Sequence, residues 1–484
     1  MILAQELGFL KAQKHLEAMI EFVGKASEQQ LRADEVEREL FRRQLALGLC
    51  LLEEFVSRAG NGDEGKRVEK EDRSLQRLGQ RTRRYVSVFG ELAVKRFVYA
   101  QREGQKIEYV PTDARLGLPQ RDFSYVLEDW LGRLSIKESF QEAITSLESL
   151  LSLSPSTASA ERMNQKMAEH AETFRMQQPP PQPDEEGEIL VATSDGKGVP
   201  MRRPLEERIA GRRRSKGEKA NKKRMAYVGA VYSIDRFRRT PDDVIDELLR
   251  QARRQDRPVP QNKRVWAEMT RQVEDIECNG RTTVFGAMHD EVRSRNRRGR
   301  KPVVCLLDGE RALWDAKREW FGEDVVGILD LFHVMERLWN AAYCFHRERS
   351  SEAEQFVTQR LRMLLEGKVG AMIGGLRRMQ TRRRLTGERA RSLSAVIGYL
   401  ENNRAHMKYD EYLAAGYPIG SGVAEGACRH VVKDRMEQTG MRWTVQGAQA
   451  MLHLRSIYLN GDWDSFLQHR IEAEQTTLYG KRAA

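Results

Sequence analysis

The 484-residue chain contains no apolar run approaching the roughly 18 residues of a membrane-spanning helix. Its first residues, "MILAQELGFLKAQKHLEAMI", carry charges within their apolar face and lack the basic start and small-residue cleavage site of a secretory leader. These absences predict a cytoplasmic protein without a membrane partner. Cysteine is sparse: five residues, at positions 50, 278, 305, 344 and 428, with no Cys-x-x-Cys pair. So odd and scattered a set supports neither a disulfide framework nor a zinc ribbon, and the thiols read as core residues. No internal repeat is apparent.

Positive charge, by contrast, is abundant. The net charge is +11, and the excess is clumped. "RIAGRRRSKGEKANKKR" (Arg208–Arg224) and "RSRNRRGRK" (Arg293–Lys301) are dense cationic stretches, with further clusters at Gly374–Arg384 and Arg442. A lysine or arginine set against a phosphate releases counterions, so such stretches suit nucleic acid. A single run of this kind is as readily a solvated loop. Arg212, Arg213, Arg214, Lys222, Lys223, Arg297 and Arg298 are the candidate contacts to DNA from these two segments.

Apolar spacing near 3.6 residues predicts helices over residues 1–60, through Leu10, Ala12, Leu16, Ile20 and Phe22, then Leu45, Leu49, Leu52 and Phe55. This region is a candidate for oligomerisation. Residues 61–176 read as a second region. "RYVSVFGELAVKRFVYA" (Arg84–Ala100) predicts a β-hairpin about Phe89-Gly90, and "VPTDARLGLP" an extended connector. Two helices follow, broken at "SLSPS", the second opening on Ser156 or Ser159. That is the pattern of a helix-turn-helix, with Arg162, Asn164, Gln165 and Lys166 offered to a DNA groove, although structural bundles share it. The Pro-rich, acidic stretch 177–188 reads as a linker. Beyond it, "ILVATSD", "RMAYVGAVYSID", "KPVVCLLD" and "VVGILD" are strand signals over 189–339. Residues 340–415 look all-helical, and 416–470 return to the α/β region. The fold class expected is therefore multidomain, α+β followed by α/β.

Two strand signals each deliver an aspartate at their end: Asp195 before "GKG" and Asp308 before "GE". Glycine lets the chain turn away there, and Asp-Gly alone is a common turn. Glu425 starts a helix after the Gly-rich "GYPIGSG", where dipole compensation is the simple reading. Together the three carboxylates form a more specific pattern. Magnesium or manganese takes carboxylate oxygens, and two such ions held by shared carboxylates serve phosphodiester chemistry.

"SDGKGVPM", "LLDGERALW", "DLFHVMERLW" and "GYPIGSGVAEGACRHVVKDRMEQTGMRWTVQGAQAMLHLRS" resemble insertion-sequence transposases of the ISKra family, within the RNase H-like DDE superfamily. The resemblance spans roughly Val191 to Phe466, and its C-terminal motif is the most specific part. It implies an RNase H-like catalytic domain with an all-α insertion, and a triad of Asp195, Asp308 and Glu425. It implies two Mg²⁺ or Mn²⁺ ions. It also implies binding of terminal repeats in double-stranded DNA, hydrolysis, 3′-OH strand transfer, and a homodimer or higher oligomer in a bacterial, nucleoid-associated setting. Relatives often carry cysteines near "YVPTDARLGL"; here Glu108 and Tyr109 precede it and no cysteine is near, so no zinc is expected. Lys197, Arg429, Arg442 and Trp443 are neighbouring candidates for DNA contact, Trp443 by stacking on a flipped base. Asp330 and His333 are secondary candidates, through resemblance to transposases with an Asp-x-x-His element. The alternatives are an RNase H-like nuclease without strand transfer and a transposase-derived DNA-binding protein without catalysis.

Overall fold

The structure, a computed structural model, describes residues 2–70, 73–202, 223–249, 257–273, 275–438 and 440–480. The chain divides into two units, Met1–His170 with Asp464–Ala484, and Ala171–Trp463. The side chains of residues 2–8 are left undescribed, and Arg212, Arg213, Arg214 and Lys222 lie outside the described residues. Among the described residues no helix is long and apolar enough to cross a membrane.

The first unit begins with helices α1 (Ile2–Glu28) and α2 (Ala33–Arg58). They lie antiparallel, Lys11 meeting Glu53 at 2.8 Å and Arg43 donating to the Ala18 carbonyl at 3.1 Å. Strands β1 (Arg67–Lys70), β2 (Arg73–Ser87) and β3 (Gly90–Ala100) form an antiparallel sheet in that order. The β2–β3 hairpin pairs Ser87 with Gly90, so the turn falls at Val88 and Phe89.

The expected extended connector is instead a short helix, α3 (Pro111–Leu116). Pro111 takes the first helical position, where its missing N–H costs nothing, and Gly117 ends the turn in the left-handed conformation. Asp113, buried within it, is held by Arg83 at 2.9 Å and by Arg96.

Helices α4 (Tyr125–Lys137), α5 (Phe140–Leu151) and α6 (Thr157–Ala168) each open on a serine, Ser124, Ser139 and Ser156, whose hydroxyl accepts a first-turn N–H. On α6, Arg162 and Lys166 are exposed and Gln165 is half-buried. Asn164 is only 2 % exposed, one turn beyond the core residue Ala160, so it is turned away from any groove. The C-terminal helix Trp463–Tyr479 completes this unit rather than the α/β region: Arg470 pairs with Glu128, and Tyr479 donates to the Leu118 carbonyl at 2.6 Å.

The second unit opens with α7 (Ala171–Gln177). The Pro-rich stretch that follows is anchored and is no loose linker. Glu186 is buried between Arg295 and Lys301, and the Gly187 N–H donates to the Ser233 hydroxyl at 3.0 Å. The core strands are β4 (Ile189–Pro200), β5 (Lys223–Ile234) and β6 (Gln261–Met269), with a small β7 (Arg271–Val273)–β8 (Ile276–Cys278) hairpin, then β9 (Val303–Leu307) and β10 (Val326–Leu329). The five-stranded sheet runs β10–β9–β4–β5–β6. Strands β4, β9 and β10 are parallel, while β5 and β6 are antiparallel to their neighbours. Ile189–Ser194 is buried without alternation, as expected of a central strand covered on both faces.

Helices α8 (Pro241–Leu248), α9 (Gly280–Arg295) and α10 (Arg311–Phe321) connect the strands, and α11 (Leu331–Tyr343) leaves β10. Four more, α12 (Ser351–Leu365), α13 (Val369–Arg382), α14 (Gly387–Asn402) and α15 (Tyr409–Ala415), form the helical block. They share the sheet's hydrophobic core through Leu361, Leu364, Leu376, Leu393 and Leu400. Tyr409 and Tyr412 of α15 donate to the Leu329 and Gly327 carbonyls at 2.8 and 3.2 Å, anchoring the block to β10.

Helix α16 (Gly422–Cys428) widens into a π-turn over Arg429–Lys433, and α17 (Val445–Leu459) packs along β6. Gln449 and Asn460 accept the Met269 and Val265 N–H groups, at 2.8 and 2.9 Å, where β6 would otherwise present an open edge.

Candidate active site

The register of the parallel strands places the site. Ser194 is opposite Leu307, and Leu307 is opposite Leu329. The next residues are Asp195, Asp308 and Asp330, so three aspartates stand side by side, Asp308 and Asp330 just past the ends of β9 and β10 and Asp195 level with them on β4. Asp195 differs from the expectation in one respect. It does not end β4, which runs on to Pro200 paired with β5. It marks the point where β4 outruns its parallel neighbour, because Gly196 and Gly198 stay extended instead of turning.

Each aspartate is held differently. Asp195 Oδ1 accepts the Gly196 N–H at 2.7 Å, and the buried Cys428 thiol donates to the same carboxylate. Burial, with the charge of Asp308 adding, raises the Asp195 carboxyl above its usual range despite those donors. Burial also pushes the Cys428 thiol up, so it stays protonated as a donor. Asp308 accepts the Glu310 N–H in a tight turn. Asp330 is fully buried; it caps α11 by accepting the Phe332 N–H at 2.7 Å, and it accepts both the N–H, at 3.0 Å, and the hydroxyl of Ser421. It thus fastens the turn from which α16 departs.

Glu425 lies in the first turn of α16 and is exposed. Burial, then the charges of Asp330 and Asp195, raises its carboxyl, with His333 opposing. The polar atoms of Asp330, His333 and Glu425 lie within 4.8 Å of one another. Asp195 and Asp308 border that group without joining it. Among the described residues, no ion pair involves Asp195, Asp308, Asp330 or Glu425, although the surrounding chain is rich in arginine. None of these carboxylates is neutralised by an ion pair among those residues, and only the His333 charge opposes the rise of Asp195 and Glu425. Asp330, His333 and Glu425 could hold a hard divalent ion, with Asp195 and Asp308 standing beside them.

Three further residues stand at the rim. Glu310 is raised by burial and by Asp308, with Asp195 contributing. Tyr399, from α14, lies on the Asp308-Gly309 turn: a Cβ at Gly309 would overlap its ring, and burial, with Asp308 adding, pushes its hydroxyl up to about 12. Arg337 follows His333 by one turn of α11; it lies 4.8 Å over the Tyr399 ring, and its Nε is buried without a hydrogen-bond partner. The i, i+4 spacing of His333 and Arg337 was the only available hint.

The other candidates separate. Lys197 follows Asp195 by two residues, on the same side of β4, and its charge reaches Cys428. Arg297, Arg298 and Arg442 are exposed. Lys223 is held by Glu437 at 2.6 Å, and Arg429 reaches Asp434 at 3.6 Å rather than Glu425. Trp443 corrects the stacking expectation. It is 6 % exposed, its indole N–H donates to the Met436 carbonyl at 3.1 Å, and its backbone pairs with Pro200 and Arg202.

No family model and no curated protein matches the chain. Among solved structures it is similar to one described as the Drosophila P element transposase strand transfer complex, with a TM-score of 0.24 and 10% identity over 72% of this chain and 81% of that one. A likeness that weak carries no argument about this chain.

Proposed function

We propose that the chain is a DNA transposase of the DDE type. Asp195, Asp308 and Glu425 would hold two Mg²⁺ or Mn²⁺ ions on an RNase H-like sheet, with the helices Ser351–Ala415 inserted before the last acidic residue. The observation that supports this most is the convergence of Glu425 with Asp330 and His333 beside Asp195 and Asp308, with none of these carboxylates in an ion pair among the described residues. The sheet order supports it too: a three-stranded antiparallel meander, then two parallel strands added on the side of the first, is the RNase H-like arrangement. The motif resemblance to ISKra transposases points the same way.

Bound there, divalent ions would supply the activation of an attacking oxygen and the stabilisation of the leaving one. The chain's own residues do the rest. The Cys428 thiol and the Gly196 N–H orient the Asp195 carboxylate. Asp330, through Ser421, positions α16 and hence Glu425. Arg337 and Lys197 would bind backbone phosphates beside the carboxylates. No covalent enzyme intermediate is required, so no nucleophilic side chain is assigned.

Cleavage and joining of a labelled element end, with Mg²⁺ or Mn²⁺, compares wild type with Glu425→Gln. The expected result is cutting and strand transfer by wild type, with DNA binding but neither reaction in the variant. Cutting without joining, even from a pre-cleaved end, would identify a nuclease. Binding without any reaction in either form would identify a DNA-binding protein.

A further inference from the structure

A cavity of about 350 Å³ opens beside the carboxylates, where the segment 416–423 leads into α16. Its walls are mainly apolar, with the rings of Tyr232, Phe237, Phe332 and Tyr417 among them, and the carboxylates of Asp235 and Glu247 also line it. The wall nearest the carboxylates belongs to the site itself. Phe332 stands between Asp330 and His333, is 44 % exposed, and lies so close to the turn that a Cβ at Gly420 would meet its ring at 2.7 Å. Gly422 and Val423, on the same wall, run straight into Glu425.

Two arginines also line the cavity, and they differ. Arg257 is paired with Glu247. Arg239 has no ion pair among the described residues; its Nε is buried without a hydrogen-bond partner, and its guanidinium lies 5.2 Å over the Phe237 ring. Burial, with repulsion from Arg257, holds it down at about 10, against the pull of Asp243. Asp235, the remaining charged group in the lining, is turned to the Glu188 N–H at 3.3 Å, so the cavity offers several rings and one arginine outside any ion pair among the described residues, which suit a flat aromatic group that carries an anion. Next to a site for phosphodiester chemistry, the ligand with both properties is a nucleotide, because every base offers a face for stacking and every phosphate a charge.

We infer that this cavity receives one unpaired nucleotide of the strand engaged at Asp195, Asp308 and Glu425, its base against Phe332 and Tyr417 and its phosphate on Arg239. The strand at the carboxylates is then locally unpaired, and the nucleotide flanking the reacting phosphate is anchored outside the duplex. The inference rests on the reading of the site as one that acts on DNA, but it does not require strand transfer.

Photocrosslinking tests it on the full chain, using single-stranded oligodeoxynucleotides that carry 5-iododeoxyuridine, in EDTA so that no reaction intervenes. Adducts mapped by mass spectrometry are expected on Phe332 or Tyr417. Phe332→Ala should lose the adduct and bind the oligonucleotide roughly fivefold more weakly or worse, while Phe332→Trp should retain both. Arg239→Gln should weaken binding of the oligonucleotide and leave the free nucleoside unaffected. Adducts confined to other surfaces, with Phe332→Ala binding as wild type, would overturn the inference, as would displacement of an apolar peptide but not of DNA from the cavity. Adducts in the cavity without strand transfer would keep this inference and remove the transposase reading. Strand transfer with adducts elsewhere would do the reverse.

Discussion

Two groups of acidic side chains in the second unit look alike as lists of ligands and are opposite in electrostatics. Glu172, Glu268 and His453 bring their polar atoms within 4.8 Å of one another, as Asp330, His333 and Glu425 do. Around Glu268, however, the charges are balanced. His453 meets it at 2.7 Å, Arg271 at 2.6 Å and Arg175 at 3.6 Å, and Gln449 donates to it at 2.8 Å. Burial would raise the Glu268 carboxyl, but these cations override it and hold it at about 2. Around Asp195 and Glu425 no cation does this, and both carboxyls are raised. Proximity of ligands therefore does not mark a metal site by itself, and the counter-charge around them separates the two groups. The first group joins α7, β6 and α17, and the second is where the proposed divalent ions would bind.

The largest difference expected between the groups is catalytic. Asp195→Asn, Asp308→Asn or Glu425→Gln should each lower metal-dependent DNA cleavage by at least about 10²- to 10³-fold, the scale of losing one charge-stabilising group, measured on a labelled end. None should unfold the protein. Glu268→Gln should do the opposite. It leaves Arg175, Arg271 and His453 without their common anion, at a cost of roughly 3–5 kcal/mol in denaturant unfolding, whatever the metal concentration.

Smaller effects sharpen the comparison. Cys428→Val removes the thiol that donates to Asp195 and should weaken Mn²⁺ binding roughly tenfold by calorimetry, whereas Cys428→Ser should preserve it. The pH dependence should divide by sign. Glu268 is depressed from 4.5, so its stabilisation is full above that value and is lost as pH falls toward about 2. Asp195 is raised from 3.8 and Glu425 from 4.5, so in EDTA the stability they contribute is present below those values and is lost as pH rises through their raised folded-state range. Melting curves in EDTA should accordingly show Asp195→Asn flattening the loss toward neutral pH and Glu268→Gln flattening the loss toward acid.

Much of this organisation was legible in the sequence because it is local. Apolar runs ending in aspartate mark β4, β9 and β10, and Ser156 marks the start of α6. Asp195, Asp308 and Glu425 were picked out because carboxylates after apolar runs or glycine-rich turns stand out from their surroundings. What escaped depends on partners distant along the chain. Tyr399 reads as an ordinary helical aromatic until α14 sets it on Gly309, and Arg337 as an ordinary surface charge until it lies on that ring. Trp443 was offered to DNA because "TGMRW" breaks a helix, but the break lets its backbone pair with the end of β4 and bury the ring. The "VPTDARLGLP" stretch, expected as extended, is α3, and its Asp113 meets Arg83 and Arg96, partners 30 and 17 positions away that no local pattern shows. The C-terminal helix joined the first unit through Arg470 and Glu128, 342 positions apart, a pairing no local pattern announces.

The most direct test is to soak crystals in Mn²⁺ and map its anomalous scattering. The account predicts density among Asp195, Asp308 and Glu425, lost in Glu425→Gln, and none beside Glu268. Manganese at Glu172, Glu268 and His453 instead, or no manganese at the strand-end aspartates at concentrations that support DNA cleavage, would contradict it.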